Sequence, residues 1–257
     1  MKIVIIQPPF VQLNSPYPSG AYLSNFFKQN FGLSGSVKWL DLSIQLFDSI
    51  FSKEGLSKLF ELSEQNALQI ANKAEQNGDD FTAFNLRRYV STKNAWINYI
   101  DQIKSILNCK NSGREVSHKF IFSASAPRGN RMESFLANLK EEPTVDHARF
   151  LASLALADLA DYITFAFDKN FSLIRYAEAV STENKSFKKI TQELESSILN
   201  EFYIPLLQKI FLENNFIKNQ SEQTLFCITL PFAGTFVSGL STAKFIKENC
   251  SNALVCI

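Results

Sequence analysis

The sequence lacks the features that would tie it to nucleic acid, to an acidic membrane surface or to a disulfide scaffold. Its 26 lysines and arginines are interleaved with 25 aspartates and glutamates, which leaves a net charge of +1 and no basic stripe. Its four cysteines form no CxxC pair and no cluster with the two histidines, which favours a reducing compartment and no metal site. We therefore expect neither nucleic acid nor a membrane among the partners.

Long hydrophobic runs are missing as well. Residues 3–27 carry no charge, but the apolar run IVII within them is too short for a secretory signal. Residues 225–243 are also uncharged, yet Pro231 and Gly234 divide them into a strand and a helix. Neither segment is long enough and continuous enough to span a membrane, so we expect a cytoplasmic protein.

Four short apolar runs predict buried strands of a parallel sheet. Continuous apolar runs bounded by turn residues are typical of strands covered by helices on both faces. A helix is predicted over 19–32, with Ser19 as its cap and Gly32 as its stop, and another over the lysine-rich segment that ends at 249. Strand–helix–strand thus occurs twice, the signature of an open doubly wound sheet. The runs are KIVIIQ at 2–7, VKWLDL at 37–42, TLFCITL at 224–230 and ALVCI at 253–257.

The middle of the chain differs from both ends, because it is rich in Leu, Phe, Ala, Lys and Glu and has helical periodicity. The pattern predicts a Rossmann/flavodoxin-like α/β domain from 1–43 and 221–257, with 44–220 as an all-helical insertion between the second and third strands. Within the insertion, HKFIFSASA at 118–126 alternates and predicts a short extended segment. ALVCI is a strand without the helix that should cover it, so we expect the chain to be a piece of a longer protein. The helices are predicted at about 44–62, 63–77, 79–108, 144–167, 171–180 and 186–216.

The turn LPFAGTFVSG near the end of the chain has glycines at the spacing of a phosphate loop. Leu240, however, stands where that loop needs its lysine, so we do not expect an NTPase. Backbone N–H groups from Phe232 to Thr235 would still converge at the carboxyl end of the sheet, where doubly wound folds hold cofactors.

The turn after the first strand, QPPFVQLNSPYPSGAY, is long, uncharged and rich in proline. It has two interpretations. The prolines restrict the backbone, so the turn is a rigid connection that needs no ligand. Alternatively, Phe10 and Tyr17 form an apolar wall that faces a planar cofactor of low charge.

No catalytic arrangement follows from the histidines. His147 and Asp158 lie on one predicted helix but eleven residues apart, which is roughly 16 Å along its axis and too far for a shared role. His118 has no carboxylate or cysteine cluster beside it in the sequence. The polar tetrad Arg175–Glu178 is interpreted as a buried pair that supports the fold, with a ligand-facing role as the alternative.

Together these segments resemble the amino-terminal cobalamin-binding region of radical S-adenosylmethionine proteins. The resemblance rests on VIIQPPF, SPYPSGAYLSNFFK and VKWLDLS at the start, on FSLIRYAEAVS, and on TLFCITLPFAGTFVSGLSTAKFIKE at the end. It is strongest for a subgroup with a large helical insertion and covers nearly the whole chain. In such proteins a radical domain follows, in which a CxxxCxxC motif binds a 4Fe–4S cluster and S-adenosylmethionine. This sequence contains no such motif, so the fragment itself is not expected to be catalytic.

The resemblance implies cobalamin as the cofactor and three turns as its pocket. These turns would act with the parent's own C-terminal radical domain as partner and an unidentified substrate. One departure concerns the cobalt, since relatives carry DxHxxG after the first strand, whereas this loop contains no histidine. The implied cofactor-binding residues are Pro8, Pro9, Phe10, Tyr17, Pro18 and Ser19 after the first strand, Asp41 and Ser43 after the second, and Pro231, Phe232, Ala233, Gly234 and Thr235 after the third.

Two alternatives stay open. The fold could serve as a structural or substrate-presenting module that binds no cobalamin. The helical insertion could instead recognise a peptide, a hypothesis that the 24 phenylalanines motivate.

Overall fold

The computed structural model describes residues 1–11, 13, 17–32, 36–108, 114–173, 186–217 and 223–257. The described strands form one four-stranded parallel sheet in the order β2-β1-β3-β4. The α/β class and the parallel sheet predicted from the sequence are therefore confirmed. The strands are β1 Lys2–Gln7, β2 Val37–Asp41, β3 Thr224–Ile228 and β4 Ala253–Cys256.

The central strand forms because its side chains are apolar on both faces. From Ile3 to Ile6 each side chain of β1 is at most 1% exposed. β1 pairs with β2 on one side, with Ile6 opposite Leu40, and with β3 on the other, with Ile6 opposite Ile228. A strand with parallel neighbours on both sides is expected to be an uninterrupted apolar run.

The described helices account for most of the remaining chain. The first ends at Gly32, whose φ of 63° lies in the left-handed region that glycine adopts without a steric penalty. A π-helical turn at Leu199–Tyr203 precedes α10, and a 3₁₀ turn at Ala233–Thr235 precedes α11. The helices are α1 Ser19–Phe31, α2 Leu42–Ile50, α3 Lys53–Gln76, α4 Asp80–Ser91, α5 Lys93–Leu107, α6 Arg114–Phe122, α7 Asn130–Asn138, α8 Val145–Ala166, α9 Phe187–Glu193, α10 Ile204–Glu213 and α11 Phe236–Asn249.

The chain divides into two compact units. The sheet unit comprises Met1–Ser49 and Asn170–Ile257, and the helical unit comprises Ile50–Lys169. In the sheet unit, the ring of Phe211 on α10 stacks on Phe226 of β3 with centroids 5.5 Å apart. The residues of α9 and α10 therefore fold with the sheet, whereas the sequence pattern placed them in a helical insertion. The predicted domain limits of 44 and 220 stay a prediction.

The helical unit encloses its own core of large aromatic side chains. Trp96 and Tyr162 are 0% exposed and Phe60 is 1% exposed. The Tyr162 hydroxyl lies 2.8 Å from Ser63 Oγ, which also donates to the Leu59 carbonyl. The buried hydroxyls of Ser63 and Tyr162 are thus hydrogen-bonded to each other inside this core.

The extended segment predicted at 118–126 is wrong, because α6 covers its first half. In a strand Phe120 and Phe122 would share one face, but Phe120 is 0% exposed and Phe122 is 59% exposed. The guanidinium of Arg128 donates to carbonyls in the last turn of α6, the closest at 2.8 Å, and so satisfies the helix end.

Further helix boundaries differ from the predictions, among them the helix predicted at 79–108, which is interrupted at Thr92 between α4 and α5. The helix predicted at 44–62 is broken at Phe51, because Ser52 Oγ accepts a hydrogen bond from Gly55 N and starts α3 there. The sequence also gave no signal for α7, whose first amides donate to the side chain of Asp158. None of the helices in the described ranges is both long enough and apolar enough to cross a membrane.

Candidate functional site

The predicted site residues lie at the carboxyl ends of three neighbouring strands of the sheet unit. Together with Val11 and Leu42, which were not predicted, we call these residues the rim: 8–11 and 17–19 after β1, 41–43 after β2, and 231–235 after β3. The connection from β1 leads to β2 on one side, while β3 and β4 lie on the other, so the order of strands reverses between β1 and β3. Open α/β sheets hold ligands at the carboxyl edge of such a switch point.

Gln7 connects the three segments that meet at the switch point. Its side chain is 1% exposed, and its Oε1 accepts hydrogen bonds from Thr229 Oγ1 at 2.7 Å and from Ser19 Oγ at 3.4 Å. Its Nε2 donates to the Pro8 carbonyl at 3.3 Å. One amide thus ties the end of β1 to the end of β3 and to the start of α1.

A second connection joins the first turn to α11. The hydroxyl of Ser238 donates to the carbonyl of Pro9, and the carbonyl of Thr235 lies 3.1 Å from the same oxygen. Thr235 Oγ1 in turn donates to the Phe232 carbonyl at 2.9 Å. The first turn is therefore in direct contact with the first part of α11, although Pro9 and Ser238 are 229 residues apart in the sequence.

The turn after β2 is attached in the same way. Asp41 Oδ1 accepts hydrogen bonds from Ser43 N at 3.0 Å and Ile44 N at 3.3 Å, which caps the start of α2. Ser43 Oγ accepts from Val11 N at 2.9 Å and is buried. Asp41 and Ser43 therefore hold the backbone of the rim in place.

The aromatic residues of the rim differ in exposure. Phe10 is 1% exposed and packs edge-on against Phe171, with ring centroids 5.7 Å apart, so it belongs to the core. Tyr17 is half-buried and packs edge-on against Phe232 at 5.6 Å. Phe232 is 51% exposed. A molecule lying on the rim would meet the Tyr17–Phe232 pair and not Phe10.

The remaining residues of the rim also differ in their exposure to solvent. Pro8, Pro9, Gly234 and Thr235 are buried. Pro18 and Ala233 are exposed, and Ser19 and Pro231 are half-buried. The accessible part of the rim is therefore an apolar edge formed by Tyr17, Pro18, Phe232 and Ala233.

Gly239, the second of the two glycines at phosphate-loop spacing, has a packing role. Gly239 lies within α11 and is buried, and a Cβ atom there would come within 2.3 Å of Leu230 Cδ2. The absence of a side chain thus lets α11 approach the end of β3.

Neither histidine belongs to the sheet unit. The backbone N–H of Thr144 donates to His147 Nδ1 and that of His147 to Thr144 Oγ1, both at 3.2 Å, which caps α8. The ring of His118 contacts Phe122 at 4.5 Å. Within the described ranges, no group of three or more metal-ligating side chains could hold an ion. The tetrad Arg175–Glu178 lies outside the described residues.

The residues that connect the rim were missed by the sequence analysis. A glutamine at the end of KIVIIQ is a detectable signal, because a polar side chain there must be satisfied by neighbouring turns. Thr229 and Ser238 carried no such signal.

A surface groove of about 430 Å³ in the sheet unit lies away from the rim, beside the carboxyl-terminal half of α11, with Lys244 and Glu248 among its lining residues.

Comparison with protein families, with curated proteins and with solved structures finds no match to this chain.

Proposed function

We propose that the sheet unit is the cobalamin-type cofactor-binding domain of a radical S-adenosylmethionine enzyme. In this proposal the fold is Rossmann/flavodoxin-like, the helical unit Ile50–Lys169 is a subdomain inserted between β2 and β3, and the protein is cytoplasmic. The observation that carries the proposal is the junction of two turns 222 residues apart, at Gln7 and Thr229, beside the exposed Tyr17–Phe232 pair.

The residues of the rim are suited to van der Waals contact with a corrin ring and not to coordination of its cobalt. Tyr17, Pro18 and Phe232 would hold one edge of the macrocycle, because they form an accessible apolar surface. The rim has no histidine, and Asp41 already accepts two backbone hydrogen bonds. The proposal therefore assigns no ligand to the metal. When bound, cobalamin would supply a carrier for methyl groups.

The chain's own residues would then bind and orient. Gln7 and Ser238 fix the two turns relative to each other, so the apolar edge keeps one shape before the cofactor arrives. Such preorganisation lowers the entropy lost on binding. S-adenosylmethionine and the iron–sulfur cluster would belong to the parent's radical domain, which would be the partner, together with an unidentified substrate.

A second candidate function is a structural or substrate-presenting module without cobalamin. The observation in its favour is the filling of the switch point by the chain itself. Phe10 and Val11 are 1% and 2% exposed, and the polar side chains of Gln7, Ser43 and Ser238 are hydrogen-bonded within the rim. A crevice filled in this manner needs no ligand to be stable.

Absorbance spectroscopy with hydroxocobalamin separates the two candidates. The purified chain is mixed with hydroxocobalamin and desalted, and a retained, shifted corrin spectrum supports the cofactor domain. The variant Phe232→Ala should weaken retention about tenfold, because it removes about 1.5 kcal/mol of apolar contact. Phe26→Ala is the matched control, since Phe26 is also 51% exposed in the same unit but lies on α1. A corrin spectrum that desalting removes completely would favour the structural module.

A further inference from the structure

The helical unit contains a small groove between α4 and α8 that is separate from the rim. Its volume is about 90 Å³. Phe81 from α4 and Phe165 from α8 line it, and their side chains are 63% and 57% exposed. Exposed aromatic rings on both sides of a groove are unusual on a surface that contacts water alone.

The floor of the groove includes a tyrosine that is held firmly from the inside. Tyr89 is 5% exposed, and its ring packs against Trp96 at 5.7 Å and Tyr162 at 5.3 Å. Its hydroxyl makes no hydrogen bond to any residue in the described ranges, whereas the neighbouring Tyr162 hydroxyl is bonded to Ser63. The hydroxyl therefore opens to the groove, where a ligand oxygen can replace water as its hydrogen-bond partner.

Polar groups at the edge of the groove complete the arrangement. Asn130, at the start of α7, lines the groove and its side-chain amide has no partner in the described part of the chain. Asp161 also lines it, and its carboxylate accepts hydrogen bonds from Arg131 at 3.0 and 3.2 Å. The charge of this carboxylate is therefore already balanced, and the groove has no unpaired charge to offer an ionic ligand.

The Tyr89 hydroxyl stays protonated in these surroundings. Burial, followed by the negative charges of Asp158 and Asp161, raises the pKa of Tyr89 well above its ordinary value. It is therefore available as a hydrogen-bond donor at every physiological pH.

We propose that this groove binds a small neutral aromatic molecule of one ring that carries a hydroxyl group, with its ring between Phe81 and Phe165 and its oxygen at Tyr89. The ligand is limited to one ring that is only partly enclosed, since a cavity that encloses benzene measures about 150 Å³ and this open groove measures about 90 Å³. The hydroxyl of a phenol accepts from Tyr89 and donates to the side-chain oxygen of Asn130, so it pairs with the two lining groups that have no side-chain partner in the described residues.

The test compares p-cresol with toluene, which differ by the hydroxyl alone. Binding to the whole chain is followed by amide NMR titration. We expect saturable binding of p-cresol with a Kd of about 1 mM and about fivefold weaker binding of toluene, the ratio that one neutral hydrogen bond provides. Equal affinities, or no saturable binding of p-cresol, would overturn the proposal.

Three variants locate the binding. Tyr89→Phe should bring the two affinities to a ratio near one, and Phe165→Ala should weaken both ligands. Phe150→Ala is the control on the same helix, with a side chain 52% exposed and outside the groove, and it should change neither. Thermal unfolding checks that each variant is folded. Unchanged p-cresol binding in folded Tyr89→Phe and Phe165→Ala would place the site elsewhere and refute the assignment. These outcomes are independent of corrin binding by the sheet unit.

Discussion

The connection between the two halves of the sheet predicts an energetic coupling between Gln7 and Thr229. Gln7→Leu removes the acceptor of Thr229 Oγ1 and Ser19 Oγ and the donor to the Pro8 carbonyl. The loss of stability is limited, because Thr229 Oγ1 also lies 3.3 Å from the Ile6 carbonyl and Ser19 is half-buried, so both hydroxyls keep other partners. At about 1 kcal/mol per neutral hydrogen bond, we expect Gln7→Leu to cost about 2 kcal/mol and Thr229→Val about 1 kcal/mol.

The double variant measures the bond itself. If the 2.7 Å contact between Gln7 and Thr229 exists, Gln7→Leu with Thr229→Val should be about 1 kcal/mol less destabilised than the sum of the single variants. Urea unfolding followed by tryptophan fluorescence gives the three free energies of unfolding. Strict additivity would mean that the two side chains do not interact, and the account of a single rim built from both turns would be refuted.

Three further predictions concern buried groups. Asp158→Ala should lower the free energy of unfolding by about 3 kcal/mol in urea titrations, because it leaves two backbone amides of α7 without an acceptor. Burial raises the pKa of Asp158 in the folded protein. The stability of the wild type relative to Asp158→Asn should therefore be highest below pH 3.8 and decline as the pH rises through the raised folded pKa. In the same assay Ser63→Ala should lower the free energy of unfolding more than Tyr162→Phe does. Ser63→Ala leaves the buried Tyr162 hydroxyl without a partner, whereas in Tyr162→Phe the Ser63 hydroxyl still donates to the Leu59 carbonyl. Equal losses of stability would contradict this. Burial raises the pKa of the Cys227 thiol, whereas Cys256 is exposed, so iodoacetamide at neutral pH should alkylate Cys256 first, as mass spectrometry of digests would show; faster alkylation of Cys227 would count against the packing.

The sequence predicted the elements whose signals are local. KIVIIQ forms β1 with the predicted bounds, because a short continuous apolar run between turn residues favours a buried strand. Gly32 ended α1 as expected from its conformational freedom. The start of α3 was missed although Ser52 offered a cap, since the apolar periodicity continues across it. The alternation over 118–126 led to the wrong prediction of an extended segment, because so short a segment fits both the strand period and the helix period and tertiary packing decides between them.

The contacts that build the candidate site depend on tertiary structure. The turns were identified, and their meeting followed from placing both strands in one sheet. The bonds from Gln7 to Thr229 and from Ser238 to Pro9 span 222 and 229 residues, so no spacing rule reports them. The same reason explains Phe10, for which the sequence left two interpretations open and whose contact with Phe171 depends on tertiary structure.

The most direct measurement of the central claim is an amide NMR spectrum of the chain during titration with hydroxocobalamin. The account predicts that saturable shifts concentrate at residues 17–20 and 232–236, while those near Phe26 stay unchanged. Shifts confined to other parts of the chain, or none at all, would contradict the assignment of the rim as a cofactor site.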